Sequence, residues 1–363
     1  MKTHSVPLHP SFSIQGKKHN TDTLIQYAQS LLNDSELYLR DLGHFLLEYL
    51  DENPFIIAHT SGSTGTPKPY QIEKLAMVAH TKLTAAFFNL QPKNKVLLCL
   101  STQFIAGKMM VVRALSLGLD LWLAAPSNSP LIGFDVRFDF MAMVPSQLEK
   151  SIPQLSKAKQ ILIGGAPLNE RIKLAALQKI SESDTRLFLS YGMTETLSHI
   201  AIATLALNTP TIFEILPTIG IRQNDQGCLL IRAPYISQRE IVTTDVVHMK
   251  DSSHFEWLGR ADFIINSGGV KLHPERLEKQ YAAHFNIPFF FSPIPHETLG
   301  EQIVLVVHSK DLAQAKALLN TLAFTSKYHK PKGILTVSKF IYTSTHKIRR
   351  ALSLKLGYET TLL

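Results

Sequence analysis

Between His59 and Tyr70 the chain strings together Thr60, Ser61, Gly62, Ser63, Thr64, Gly65 and Lys68. Small hydroxyl residues and glycine let backbone N–H groups come close to a polyphosphate. A lysine adds a point charge for phosphate oxygens. The stretch is not a Walker loop, because Gly does not precede Lys68 and Ser/Thr does not follow it. Its residues alone leave a nucleotide phosphate clamp and a Gly/Ser/Thr surface turn both open.

Further segments carry chemistry. Gly164, Gly165, Ala166 and Pro167 follow an apolar run and open a helical pattern, so they permit close ligand approach or make an ordinary strand-to-helix turn. Ser190-Tyr191-Gly192-Met193-Thr194-Glu195-Thr196 offers an aromatic face, a hydroxyl and a carboxylate. Tyr191 can stack on a base, Thr194 can bond phosphate and Glu195 can hold Mg2+. The plain reading of that segment is a helix start with Thr194 as cap. Thr243-Thr244-Asp245 can present a carboxylate to ribose hydroxyls or simply turn. A long block runs Gly259-Arg260-Ala261-Asp262 to Ser267-Gly268-Gly269 and on to Pro274-Glu275. Near the C-terminus, Lys347 lies in the basic stretch Thr343–Arg350. Arg113 stands in an otherwise apolar helical run, where an arginine either snorkels to the surface or grips an anion.

The elements that must position these residues follow from periodicity. Short apolar runs at 55–58, 96–100, 119–124, 138–144, 160–163, 186–189 and 199–203 read as strands. Amphipathic stretches at 72–90, 105–117 and 169–180 read as helices, and 21–50 is helical as well. This alternation predicts an α/β fold with a mainly parallel sheet, whose ligands bind beyond the strand C-termini. The Thr60–Lys68 loop is expected at such a position. Short strands separated by turn signals from about 211 to 258 predict a β-rich subdomain. A strand at 303–307 and a helix at 312–322 predict a small α+β C-terminal domain.

The 363 residues suffice for one large domain and one small one, and 45% hydrophobic with 18% charged residues fits a globular core. No apolar run is long enough for a membrane helix, and the N-terminal residues lack a signal-peptide core, so a cytoplasmic location is expected. The net charge of +8 is scattered, which favours anionic small ligands over nucleic acid. Cys99 and Cys228 lie in apolar runs and read as buried thiols.

In order and content these segments resemble the adenylate-forming acyl-CoA synthetases, the superfamily that includes firefly luciferase and non-ribosomal adenylation domains. The resemblance covers His59 to Arg350. It implies an AMP-binding domain over residues 1–261 and a mobile C-terminal domain over 262–363. Thr60, Ser61, Gly62, Ser63, Thr64, Gly65 and Lys68 would embrace the β- and γ-phosphates of ATP. Gly164, Gly165, Ala166, Pro167 and Tyr191 would line the adenine. Thr194 would contact the α-phosphate, Glu195 would bind Mg2+, and Asp245 and Arg260 would hold the ribose. Asp262 would be the hinge, and Ser267, Gly268 and Gly269 would serve CoA in the second half-reaction. Lys347 would bridge the acid and the α-phosphate. A Mg2+ ion and an ammonium offset the repulsion between two anions that must react.

Arg113, six residues after Gly107, and Ser198 are similar to positions in the o-succinylbenzoate–CoA ligases of menaquinone biosynthesis, where the arginine grips a second, aromatic carboxylate. The partners implied are a small carboxylic acid, ATP and CoA, with no nucleic acid and no membrane span; a homo-oligomer is compatible with them. Alternatives are a ligase for another aryl or acyl acid and a non-catalytic nucleotide-binding protein. Four departures stand out. His346, Asn266 and Thr244 replace the usual Gly, Lys and Gly. The phosphate loop also begins near residue 60, from which most of the N-terminal subdomain is expected to be missing.

Overall fold

A computed structural model describes Val6 and residues 8–59, 69–342 and 348–362. The chain divides into two compact units. One comprises Met1–Leu168, Ile172–Gly220 and Ile231–Ile241, and the other Asn169–Arg171, Ile221–Leu230 and Val242–Leu363.

In the first unit, β1 (Ser13–Ile14) and β2 (Lys17–Lys18) form a small hairpin. The helical stretch at 21–50 is two helices, α1 (Thr21–Leu31) and α2 (Leu37–Leu50), separated at the polar Asn33-Asp34-Ser35. Asn20 caps α1 by accepting from Thr23 N at 2.9 Å, while Thr23 Oγ1 accepts from Asn20 N at 2.9 Å.

The next segment departs from expectation. β3 (Phe55–His59) does not join a parallel sheet; it pairs antiparallel with β4 (Pro69–Glu73), from Phe55↔Glu73 to His59↔Pro69. Helix α3 is therefore Lys74–Phe88, and Ile72 belongs to a strand. The strand that ends at His59 thus pairs with the one that starts at Pro69, where the periodicity predicts a parallel-sheet strand followed by a helix. α2 anchors this hairpin: Glu48 Oε1 accepts from Ile57 N at 3.0 Å, and the buried Lys74 ammonium meets Asp51 Oδ1 at 2.7 Å.

The alternation then runs as predicted through β5 (Lys95–Leu98), α4 (Ile105–Leu117), β6 (Asp120–Leu123), β7 (Phe138–Met143), α5 (Pro145–Ser151), β8 (Ala158–Ile163), α6 (Glu170–Ile180), β9 (Arg186–Gly192), β10 (His199–Thr204) and β11 (Phe213–Ile215). The order β1-β6-β5-β7-β8-β9 is parallel throughout, and β10 and β11 extend it antiparallel. Such runs of Val, Leu, Ile and Met are what a sheet covered on its faces requires. Leu97, Met141, Ile161 and Leu187 pack with Ala176, Leu177 and Ile180 of α6. Phe88 of α3 meets Phe140 at 4.7 Å and Phe188 at 5.0 Å between ring centroids.

The second unit is β-rich. β12 (Gly220–Gln223) and β13 (Cys228–Arg232) lead to β14 (Ile241–Met249), which pairs antiparallel with β15 (His254–Arg260). A second sheet follows, with strands β16 (Ile265–Ser267), β17 (Val270–Leu272), β18 (Phe289–His296), β19 (Gly300–His308), β20 (Gly333–Val337) and β21 (Tyr358–Leu362). Helices α7 (Pro274–Tyr281), α8 (Leu312–Thr321) and α9 (Arg350–Lys355) complete it. Leu277, Tyr281, Phe291, Leu305, Ala315 and Ile334 share one core there.

Candidate functional site

Two loops that leave the parallel sheet carry the residues singled out in the first unit. After β8, Gly164 leads into an exposed bend. A Cβ on Gly164 would lie 2.3 Å from Ser190 Oγ, which itself donates to Ile163 O at 3.0 Å. Ala166 is half-buried there, while Gly165 and Pro167 are exposed. At the end of β9, Tyr191 is half-buried with its ring 5.8 Å from that of Phe213.

The chain then folds back sharply. A Cβ on Gly192 would meet Ser198 O at 2.3 Å, so only glycine fits beneath the returning strand. Thr194–Thr196 form a short 3-10 turn, with Thr194 half-buried and Glu195 exposed. The hydroxyl that closes this turn is that of Thr196, not Thr194: Met193 N donates to Thr196 Oγ1 at 2.9 Å. Leu197 follows at φ 67 and ψ −44, and Ser198 N donates to Thr196 O at 2.7 Å. That is a γ-turn of the positive-φ form, which costs about 1–3 kcal/mol for a residue with a side chain. Leu197 is nonetheless buried, and the turn sets Ser198 at the start of β10.

Ser198 there meets Arg113. The arginine does not snorkel: it is 2% exposed, inside the face that α4 turns to the core. Arg113 Nη2 donates to Ser198 Oγ at 3.1 Å and Arg113 Nε to Thr84 Oγ1 at 3.3 Å. Among the described residues no carboxylate pairs with it. Burial pulls its pKa down to about 9, which still leaves a cation at neutral pH.

Sequence reasoning missed the rest of this cluster. His80 and Thr84 lie one turn apart on α3, a spacing that could have flagged them. His80 Nε2 donates to His199 O at 2.7 Å, and the two imidazoles meet edge-on at 4.8 Å. His199 Nε2 is 3.3 Å from Thr84 Oγ1, and its Nδ1 is 3.3 Å from Ser198 Oγ. Burial, then the nearby Arg113 charge, pushes His80 down to about 3; burial, His80 and Arg113 likewise hold His199 well below its ordinary value. Both are neutral near pH 7. The Tyr235 ring lies 5.9 Å from that of His80, and its buried hydroxyl has no partner among the described residues.

The second unit gathers the other predicted residues. Asp245 and Arg260 are cross-strand neighbours on β14 and β15. Their charged ends are engaged locally. Asp245 accepts from Trp257 Nε1 at 3.0 Å, and Arg260 Nη2 donates to Thr244 Oγ1 and to Asp262 Oδ2, each at 2.7 Å. The buried Arg260 Nε has no hydrogen-bond partner among the described residues. Asp262 is exposed in the 3-10 turn Ala261–Phe263. Ser267, Gly268 and Gly269 form the tip between β16 and β17, where Gly268 N donates to Leu299 O at 2.9 Å. Glu275 Oε2 accepts from Arg260 N at 2.6 Å, and Arg350 Nη2 meets Glu278 Oε2 at 2.6 Å.

Thr60, Ser61, Gly62, Ser63, Thr64, Gly65, Lys68 and Lys347 lie outside the described residues. Among the described residues there is no cluster of three or more His, Cys, Asp or Glu able to hold a metal. Among them, too, no helix is long and apolar enough to cross a membrane. Cys99 and Cys228 are buried as expected, and burial pushes the Cys99 thiol up to about 12.

Comparisons with known proteins agree with this architecture. Residues 10–228 match the family described as AMP-binding enzyme. A 2-succinylbenzoate–CoA ligase of Oceanobacillus iheyensis is 20% identical, over 87% of this chain and 70% of the relative. One of Listeria monocytogenes is 22% identical, over 81% and 68%. Among solved structures, an acyl-CoA synthetase (AMP-forming)/AMP-acid ligase II-like protein from Dyadobacter fermentans is 32% identical. It is matched over 92% of this chain and 98% of its own, with a TM-score of 0.60. The o-succinylbenzoate CoA synthetase of Bacillus subtilis, in complex with ATP and magnesium, shares the fold at a TM-score of 0.67. It is 19% identical, over 82% of this chain and 69% of that one.

Proposed function

Because the chain belongs to the AMP-binding enzyme family, we propose that it is an ATP-dependent acid–thiol ligase. It would adenylate a carboxylic acid and pass the acyl group to CoA, releasing AMP and pyrophosphate. We further propose o-succinylbenzoate as the acid. The observation that carries this choice is Arg113: a buried cation held by two hydroxyls and, among the described residues, by no carboxylate. An unpaired buried charge costs several kcal/mol, so its natural complement is a carboxylate that arrives with the substrate. With Nε given to Thr84 and one Nη2 N–H to Ser198, Nη1 and the other Nη2 N–H remain for a carboxylate to bind end-on. A monocarboxylic acid, whose one carboxylate must react, has no use for this seat.

The remaining roles are proposals on the family's pattern. Thr60, Ser61, Gly62, Ser63, Thr64, Gly65 and Lys68 would hold the outer phosphates, and Lys347 the acid and α-phosphate. The bare backbone of Gly164 and Gly165 with Ala166, Pro167 and the half-buried Tyr191 suits adenine. Asp245 and Arg260 would hold the ribose, which requires their present hydrogen bonds to be shared. Glu195 is an exposed carboxylate beside Thr194, and magnesium, which keeps few protein ligands when phosphates are present, fits such a position. The ion would offset the negative charge that repels the incoming acid. Asp262 as hinge, the Ser267–Gly269 tip as a CoA contact, the mobile 262–363 domain and a cytoplasmic setting belong to the same reading.

The test is a pyrophosphate-release assay with CoA thioester detection. o-Succinylbenzoate should exceed 4-oxo-4-phenylbutanoate, which lacks only the ring carboxylate, by about 100-fold in kcat/KM, the scale of a buried charged hydrogen-bonded pair. Lys347→Ala should abolish adenylation yet spare thioester formation from supplied acyl-adenylate. Equal use of the two acids sinks the substrate assignment; no pyrophosphate release with any acid sinks the ligase reading.

A further inference from the structure

His199 lies between the two hydroxyls that hold Arg113. Its Nε2 is 3.3 Å from Thr84 Oγ1 and its Nδ1 is 3.3 Å from Ser198 Oγ. Those same oxygens take Arg113 Nε–H at 3.3 Å and Nη2–H at 3.1 Å. Guanidinium, hydroxyl, imidazole and hydroxyl thus close a ring. A second imidazole limits where the protons sit. His80 Nε2 is 2.7 Å from the His199 carbonyl, which can only accept, so Nε2 carries the hydrogen. A neutral imidazole has one N–H. His80 Nδ1 is therefore bare, 3.5 Å from Thr84 Oγ1.

Hydrogen-bond accounting leaves two arrangements. In one, Thr84 donates to His199 Nε2, and His199 Nδ1–H donates to Ser198. Ser198 Oγ then accepts twice, and its own proton must point away from the ring. In the other, His199 donates from Nε2 to Thr84, the Thr84 proton turns to His80 O at 3.4 Å or to the bare His80 Nδ1, and the Ser198 proton is used up on His199 Nδ1. Only the first offers a further donor beside the free edge of Arg113.

We propose that His199 is a positioning residue for the acid's second carboxylate: as the Nδ1–H tautomer it holds Thr84 and Ser198 against Arg113 and turns the Ser198 hydroxyl proton toward that carboxylate. The proposal rests on the reading of Arg113 as a carboxylate seat. No proton leaves the ring, so the role is orientation, not acid–base catalysis. A bound carboxylate selects the donor arrangement, because it accepts from Ser198 and repels an oxygen lone pair aimed at it. Thr84 is the second member of the device, since it serves Arg113 and His199 at once.

The readout is the ratio of kcat/KM for o-succinylbenzoate to that for 4-oxo-4-phenylbutanoate. His199→Phe keeps ring bulk and makes neither bond. It should lower the ratio about tenfold, the value of one hydrogen bond to a charged group, through KM for the diacid and with KM for ATP unchanged. His199→Asn sets an amide near the place of Nδ1 and should recover most of the ratio. Thr84→Val, nearly isosteric, should match His199→Phe, and the double variant should be no worse than either alone. Equal losses on both acids, or His199→Asn as poor as His199→Phe, overturn the proposal. If His199→Phe loses its cooperative melt, Thr84→Val decides. Arg113→Leu separates the two layers. If it leaves the ratio unchanged, the seat itself is wrong. If it collapses the ratio while His199→Phe and Thr84→Val do not, only this inference fails.

Discussion

Two arginines, one in each unit, one buried and one largely shielded, solve the same electrostatic problem in opposite ways. Arg350 has an anionic partner inside its own unit. Its Nη2 meets Glu278 Oε2 at 2.6 Å, its Nη1 donates to Phe291 O at 3.2 Å, and its guanidinium lies 4.7 Å from the Phe263 ring centroid. Glu278 is satisfied in turn by Phe291 N at 2.8 Å. Among the described residues Arg113 has neutral partners: two hydroxyls, with two uncharged imidazoles behind them. A paired, hydrogen-bonded charge is part of a fold's framework; a desolvated charge with no counterion holds a vacancy for one. The first kind of arginine should matter to stability, the second to recognition.

The largest effect expected from this contrast is on stability. Arg350→Leu strands Glu278, largely shielded from water, without its cation and should cost about 3 kcal/mol, read as a lower urea midpoint. A midpoint unchanged within error would make the pair ornamental and break the contrast. Next comes the opposite variant. Arg113→Leu removes a charge with no internal counterion, so the urea midpoint should hold or rise. At the same time the roughly 100-fold preference for the diacid should vanish. A loss of stability as large as that of Arg350→Leu would mean Arg113 is framework after all.

The smallest expected effect asks whether Arg350 has charge to spare for a second carboxylate. Burial, more than the opposing pull of Arg350, lifts Glu275 from 4.5 to about 7. Its folded value lies above its unfolded one, so its contribution to stability is complete below about pH 4.5 and is lost as pH rises through about 7. Glu275→Gln keeps an acceptor for Arg260 N. It should flatten the stability profile across that window and gain about 2 kcal/mol over the parent at pH 8. An unaltered profile would show that Arg350 already compensates both carboxylates.

Legibility from sequence divides along the same physical lines. The α/β alternation was plain because each strand and helix writes its own period, and 105–117 is a helix with those bounds. The placement of Arg113 against Ser198 came only through resemblance, since 85 residues separate them. Local signals misled at 72–73: the apolar pattern of α3 runs back into β4, whose pairing with β3 depends on a partner that periodicity does not reveal. Thr84, His80 and His199 left no trace beyond an i, i+4 spacing, because their contacts span more than a hundred positions. The Leu197 γ-turn was invisible in principle, as leucine is a poor residue for positive φ. Residues that meet only through the tertiary fold write nothing local into the chain.

That turn has a consequence for anyone who would relax the protein. Glycine at 197 would relieve the backbone by about 1–3 kcal/mol, yet it would empty the core of a leucine that is 2% exposed, a loss of about 2–5 kcal/mol or more. The side chain that bears the strain is thus the one that locks it in. The peptide link that aims Ser198 is held taut by packing, and no simple exchange at this position loosens it without unseating the core beside it.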